Sequence, residues 1–347
     1  NKNNKNKAVL ITGAGGSIGS EISRQVVKSK PKVLVLLDSN EFALYEIKKE
    51  IESIASEVEV HCVLANVTSK KRIKEILKAF HIQTIYHSAA YKHVHLVEEN
   101  PFEAVFNNII GTKVCAESSL EEGIETFVLI STDKAVRPTN IMGATKRFSE
   151  LILQSLSHND NLEFTTKMTM VRFGNVIGSS GSAIPLFQQQ IKEGGPVTVT
   201  DPEVTRYFMS IPEAAELVIQ AGAMGEGGDV FLLDMGEPVK IKELAERLIK
   251  LSGMEIKNGE NNSGDIEITY TGLRPGEKLY EELLIGENIS QTQHKKILSA
   301  KEDYISKELL DQYLLEIEDT QQRNDVPGLK KILKKVIPGY IPEPEVV

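Results

Sequence analysis

The chain has 347 residues, 40 of them Lys or Arg and 49 Asp or Glu, for a formal net charge of −9, and 41% are apolar. These figures exclude a disordered, collagen-like or disulfide-stapled chain, and the length suits one large or two modest domains with cores of their own. The acidic balance, with no Lys/Arg run interleaved with aromatics, argues against nucleic acid as a partner.

The first seven residues, Asn1-Lys-Asn-Asn-Lys-Asn-Lys7, are of low complexity, start without Met and read as a linker. Strands are then predicted at Ala8–Thr12, Val33–Asp38, Val58–Leu64, Thr84–His87, Phe127–Ser131 and Met168–Phe173. Between them helical patterns run over Ser17–Lys28, Glu41–Ala55, Lys70–Phe80, Pro101–Gly123 and Ile141–Leu156. Strands alternating with helices of this length predict an α/β fold with a doubly wound, parallel Rossmann sheet.

After Gly174 the rhythm loosens. Glycine-rich loops lead to a strand at Val197–Thr200, a helix near Ile211–Ala223, a strand at Val230–Asp234 and a helix over Val239–Ser252. A polar stretch at Gly253–Gly264 precedes a helix at Ser306–Glu318 and a Pro-rich end. The expected division is a Rossmann domain over 8–174, rejoined by parts of 205–235, and a smaller C-terminal α/β lobe from 175–204 and 236–347.

Two cysteines, Cys62 and Cys115, occur without CxxC or zinc spacing, so both read as free thiols of a reducing compartment, and no metal site is expected. The apolar stretches, such as Val33 to Leu37, fall far short of the ~20 residues that cross a bilayer.

The first strand ends in Thr12-Gly13-Ala14-Gly15-Gly16-Ser17-Ile18-Gly19, directly before a helix. The spacing is GxxGxxG rather than GxGxxG. The physics is the same: small residues let the backbone approach a pyrophosphate, whose charge sits at the positive end of the following helix. The second strand ends in Asp38, beside Ser39, where a carboxylate suits an adenosine ribose and repels a 2′-phosphate, so the cofactor expected is NAD. The competing reading of Asp38 is a cap for the next helix. Asn66-Val67 and Ala89-Ala90 follow later strands, at the carboxyl ends where open α/β sheets bind ligands.

Further motifs follow in order: Asn108-Ile-Ile-Gly-Thr112, Ser131-Thr132-Asp133-Lys134, Met142-Gly-Ala-Thr-Lys146 and Arg172-Phe-Gly-Asn175-Val176. With TGAGGSIG these resemble the extended short-chain dehydrogenase/reductase family through most of the chain. The blocks SAAYKHVHLVE, STDKAVRPTNIMGATKR, RFGNVIGSSGSAIPLF, TRYFMSIPEAAELV and GLRPGEK most resemble nucleotide-sugar 4,6-dehydratases acting on UDP-N-acetylglucosamine. The likeness is in particular to the catalytic domain of long, membrane-anchored bacterial forms used in making bacillosamine. That resemblance implies a missing N-terminal membrane region, a place at the cytoplasmic face of the inner membrane, tightly bound NAD that is recycled, and a homodimer paired through helices Pro101–Gly123 and Ile141–Leu156.

The wider family's Tyr-x-x-x-Lys pair is here Met142-x-x-x-Lys146, and a thioether moves no proton. Either the chain is a silent NAD binder, or the proton chemistry has moved to Thr132, Asp133 and Lys134. The long-form dehydratases also carry Met at this position, which favours the second. A nucleotide-sugar 4-epimerase is the rival enzyme, weakened by the missing Tyr. In the dehydratase reading Asp133 handles oxygen protons, neutral Lys134 takes the carbon 5 proton, Thr132 bonds the carbon 4 oxygen and Lys146 binds the nicotinamide ribose. Ser131, Asn108 and Lys92 are further cofactor candidates. His93 is read as either structural or sugar-binding. Asn175, Ser182, Arg206 and Arg274 are candidates for the diphosphate and Glu277 for the uridine ribose, with Arg suited to phosphate oxygens.

Overall fold

Strand β1 (Ala8–Thr12) is buried along its whole length, as a strand covered by helices on both faces must be. Its alternation divides the protein: Ala8 and Leu10 enter one core, Val9 and Ile11 the other. The computed structural model describes residues 2–158, 166–258, 261, 263–282 and 289–342. The Gly253–Gly264 stretch and the Pro-rich end lie partly outside the described residues.

Helix α1 (Ser17–Lys28), β2 (Val33–Asp38), α2 (Glu41–Ile54), β3 (Glu59–Leu64), α3 (Lys70–Ala79) and β4 (Thr84–His87) follow as βαβ units. Then come α4 (Val94–Glu99) and α5 (Pro101–Ala104), a π turn over Val105–Ile110, α6 (Gly111–Glu121), β5 (Thr126–Ile130), α7 (Ile141–Ser157) and β6 (Lys167–Arg172). The second half adds β7 (Asn175–Ile177), α8 (Ala183–Lys192), β8 (Val197–Val199), β9 (Thr205–Arg206), β10 (Phe208–Ser210), α9 (Ile211–Met224) and β11 (Asp229–Leu233). It continues with β12 (Val239–Lys240), α10 (Ile241–Leu251), β13 (Ile256–Lys257), β14 (Ile266–Tyr270), β15 (Ile289–Gln291), β16 (Ile297–Ala300), α11 (Lys307–Gln322) and α12 (Val326–Val336).

Among the described residues the main sheet has nine strands in the order β15-β16-β11-β6-β5-β4-β1-β2-β3. The seven from β3 to β11 are parallel, while β16 and β15 add antiparallel at one edge. Strand order reverses between β1 and β4, which opens a crevice at their carboxyl ends. A third, separate core joins Phe187 and Ile191 of α8, Val197, Ile241, Ile249 and Ile266 under the smaller sheet elements.

Several expectations need correction. The single helix Pro101–Gly123 is interrupted by the π turn, and Val239–Ser252 begins as a strand paired with β9. Helix α8 lies where glycine-rich loops were expected. The residues read as a linker pack: Asn3 and Asn4 are buried, and Tyr86 donates to Asn4 Oδ1 at 3.0 Å. The C-terminal elements, placed by sequence in the smaller lobe, join the main body instead. Leu310, Tyr313, Leu314, Leu329 and Leu333 enter the same core as α7. Every residue of α7 from Ile141 to Leu156 is buried, and Lys307 of α11 reaches Glu117 of α6 at 3.8 Å. The chain's own α11 and α12 thus pack on α7, one helix of the pair expected to form a four-helix dimer seam. No helix among the described residues is long and apolar enough to cross a membrane.

Candidate active site

The glycine turn is built by close approach. Gly13 lies at φ +66°, and a Cβ there would stand 2.7 Å from the Ala89 nitrogen, while one on Gly19 would stand 2.0 Å from the Gly13 carbonyl oxygen. Gly16 caps α1 without a side-chain bond, so the first-turn N–H groups are left for a ligand. Asp38 accepts from the Gly15 N–H at 2.9 Å through Oδ2 and from the Asn40 N–H at 2.9 Å through Oδ1. Capping of α2 falls to Asn40, which accepts from Ala43, so the competing reading of Asp38 as the cap is not the one realised. These groups fit a dinucleotide: small residues at the turn, open donors at the helix start and a carboxylate at the end of β2, followed by Ser39.

Asn66 accepts from the Thr68 N–H and hydroxyl, both at 2.9 Å, and Val67 is buried against Gly111. Ala89 packs on Gly13, and Ala90 faces the main cleft. Asn108, expected at the cofactor, has its amide engaged elsewhere. It accepts from the Tyr91 N–H at 2.8 Å and donates to the Tyr91 carbonyl and Thr145 hydroxyl, both at 3.0 Å, tying the loop after β4 to α7.

A cleft of about 800 Å³ opens at the carboxyl ends of β4 and β5. It brings together Gly16, Ser17 and Ile18 of the glycine turn, Lys92 and His93, Ser131, Thr132, Lys134, Met142 and Lys146, and then Asn175, Ser182 and Arg274. Burial first, then Lys92 and His95, lowers the His93 pKa. Met142 is buried at the cleft wall. Lys146 donates to the Ile130 carbonyl oxygen at 2.7 Å, and burial, opposed by Glu150, lowers its pKa to about 8.

Asp133 lies under this surface, wholly buried. Its Oδ1 accepts from Thr132 Oγ1 at 3.0 Å and from Lys134 Nζ at 3.1 Å, while Oδ2 has no hydrogen-bond partner among the described residues. Lys134 also donates to Asn175 Oδ1 at 3.4 Å. Burial pulls the Lys134 pKa down, but Asp133 and Glu281 outweigh it and the net shift is upward, so the resting side chain is an ammonium.

The residues expected at the diphosphate separate into two groups. Arg274 is exposed at the cleft, whereas Arg206 is buried and paired with Glu277 at 3.0 Å. Glu277 also accepts from Thr200 at 3.0 Å and from the Arg274 N–H at 3.2 Å. Ser182 stands at the N-cap of α8, and its buried hydroxyl has no hydrogen-bond partner among the described residues.

Sequence reasoning missed the ions beneath the cleft. Ser131 Oγ donates to Glu150 at 2.6 Å, so its hydroxyl points inward. Glu150 is paired with Arg172 at 2.6 Å and Arg147 at 3.0 Å, and Arg172 also pairs with Glu302. Burial would raise the Glu150 pKa, but the two arginines and Ser131 hold it below the usual carboxylate range. Glu281 was missed as well. Neither acid lies in a motif, and only the folded chain brings them to the site.

The doubly wound sheet, nine-stranded among the described residues, with its glycine turn at β1 and a cleft at the carboxyl ends of β4 and β5, is that of an extended short-chain dehydrogenase/reductase. The chain belongs to the polysaccharide biosynthesis protein family, whose profile matches residues 9–302. It is 52% identical over 308 residues to the capsular polysaccharide biosynthesis protein CapD of Staphylococcus aureus, covering 88% of this chain and 50% of that protein. The chain thus spans about half the length of the curated relatives it matches. Among solved structures, Pen of Bacillus thuringiensis matches with a TM-score of 0.78 at 32% identity, covering 90% of this chain and 98% of that one. DesIV of Streptomyces venezuelae, a dTDP-glucose 4,6-dehydratase solved with NAD bound, shares the fold with a TM-score of 0.66 at 19% identity, over 80% and 88% of the two chains.

Proposed function

We propose that the chain is an NAD-dependent hydro-lyase that converts UDP-N-acetylglucosamine into its 4-keto-6-deoxy product. The observation that carries the reading is the composition of one cleft: a glycine turn at one end, Arg274 at the other, and between them Thr132, Lys134 and Lys146 with Met142 in place of the expected Tyr. Bound NAD supplies an acceptor for the carbon 4 hydride and a source for its return to carbon 6.

The chain's own residues do the rest. Lys146, buried and easily deprotonated, orients the nicotinamide ribose. Thr132 bonds the carbon 4 oxygen. Asp133, buried beneath the cleft, takes the proton of the carbon 4 hydroxyl through the Thr132 hydroxyl, 3.0 Å from its Oδ1, and returns one by the same relay to the departing carbon 6 hydroxyl, which leaves as water. Lys134, once neutral, removes the carbon 5 proton and later returns one to the same carbon. Asn175, Ser182 and Arg274 face the diphosphate, and the Arg206–Glu277 pair supports the uridine ribose. Attachment to the cytoplasmic face of a bacterial inner membrane through an upstream segment belongs to the same reading.

The test is incubation with UDP-N-acetylglucosamine in deuterated water, followed by mass and proton NMR analysis. Loss of one water with one deuteron at carbon 5 is expected. An unchanged sugar mass with an inverted carbon 4 would mean a 4-epimerase, and an unaltered sugar with NAD bound would mean a silent binder. Asp133→Asn and Lys134→Ala each lower turnover by about 10²–10⁴-fold with NAD retained. Near-normal rates in both overturn the assignment.

A further inference from the structure

Residues 274–282 are fastened to the loop between β5 and α7. Thr139 Oγ1 donates to the Gly276 carbonyl oxygen at 2.8 Å, and Asn140 Nδ2 donates to the same oxygen at 3.0 Å. Lys278 Nζ donates to the Val136 carbonyl oxygen at 3.0 Å. Thus anchored, the segment turns Glu281 inward. Its side chain is 3% exposed, and Oε1 stands 3.5 Å from Lys134 Nζ.

Asp133 faces the same ammonium at 3.1 Å. The charged groups around Lys134 are therefore Asp133 on its own turn, Glu281 from the anchored segment, and Arg206 of β9, whose guanidinium is committed to Glu277. A carboxylate at this depth is costly unless paired. Glu281 is paired with the lysine at the centre of the cleft, and its Oε2 has no hydrogen-bond partner among the described residues.

The geometry assigns Glu281 as a positioning residue for Lys134: it holds the ammonium at the mouth of β5 and sets the pH at which the proton is given up. The consequence for turnover rests on the proposed role of Lys134 at carbon 5, whereas the placement of the charge does not. With Asp133 on one side and Glu281 on the other, Lys134 is held from two directions. The chain segment that carries Arg274 and Glu277 to the cleft therefore also carries the control of its base. Removing the Glu281 charge lowers the proton affinity of Lys134 and frees its side chain.

The experiment is competitive acetylation of the full chain across pH, read by mass spectrometry of the Lys134 peptide, because only the neutral amine reacts. Wild-type Lys134 is expected to titrate above the exposed lysines of the same digest. In Glu281→Gln its midpoint falls by about one pH unit or more, while Glu281→Asp retains part of the elevation. Turnover of UDP-N-acetylglucosamine by Glu281→Gln shows its acidic limb moved to lower pH, with kcat reduced and KM unchanged.

An identical Lys134 midpoint in wild type and Glu281→Gln overturns the inference. So does a wild-type midpoint at or below that of the exposed lysines, a comparison that needs no variant to fold. A shifted midpoint in a chain that does not dehydrate the sugar leaves the positioning intact and removes the proposed function. Dehydration with an unshifted midpoint does the reverse.

Discussion

His87, at the end of β4, is buried between two hydroxyls, Thr12 at 2.8 Å and Thr112 at 3.1 Å. Burial first, and the Lys146 charge second, lowers its pKa to about 3, so the folded chain keeps the imidazole neutral where the unfolded chain protonates. The contribution to stability is fully present above pH ~6.5 and falls as the pH drops toward 3, by about 1.4 kcal/mol per pH unit. Urea midpoints measured from pH 7 to 4 should decline less steeply in His87→Gln than in the wild-type chain. Equal slopes would show that another group carries the acid sensitivity. At this scale the sequence is informative where candidates stand in consecutive residues. Gly13 to Gly19, Asp38 and Thr132 to Lys134 are legible as candidates because each sits at the end of a predictable strand. Glu281 and Glu302 are not, because the contacts that define them join positions more than a hundred residues apart.

Helix α7 shows what the periodicity of a single element conveys and what it omits. Its extent was readable to within a residue of its C-terminus, yet Thr145, Arg147, Ser149, Glu150 and Gln154 would ordinarily mark a solvated face, and all are buried. Some of their partners lie within α7, as where Arg147 donates to Glu150 and Gln154, and others on distant elements: Ser149 donates to the Asn108 carbonyl, while Glu150 meets Arg172 of β6. The π turn before α6 has a similar origin. It interrupts a helix that the sequence pattern runs continuously, and it carries the Asn108 that ties the loop after β4 to α7. Breaking the buried ion pair from one side leaves a charge without compensation. Arg172→Met should therefore cost about 3–5 kcal/mol in urea unfolding. Combining it with Glu150→Gln should cost less than the sum of the two, because the variants share one network. Additive losses would mean that the pair is not energetically coupled.

Over the whole molecule, the Rossmann half was legible because each βαβ unit buries its own apolar pattern, whereas the C-terminal third depends on a surface made by residues far upstream. Leu310 and Leu314 read as part of an ordinary amphipathic helix, the helix that carries Leu329 and Leu333 was not foreseen within the Pro-rich end, and nothing local shows whether these residues meet a partner subunit or their own α7. The structure places them on α7, where Lys335 also sits 5.0 Å from the ring centre of Tyr313 and binds the two final helices to each other. If that docking is part of the main core, Leu333→Ala should lower global stability by about 2–5 kcal/mol, with amides of β1, β5 and α7 losing protection together in hydrogen exchange. If α11 and α12 instead open as a separate unit, protection falls only within them, and the released α7 face makes the variant self-associate with rising concentration. A variant that is less stable throughout yet remains unassociated supports the first arrangement. A concentration-dependent dimer with an intact core shows that this face can pair subunits once its cover is loosened.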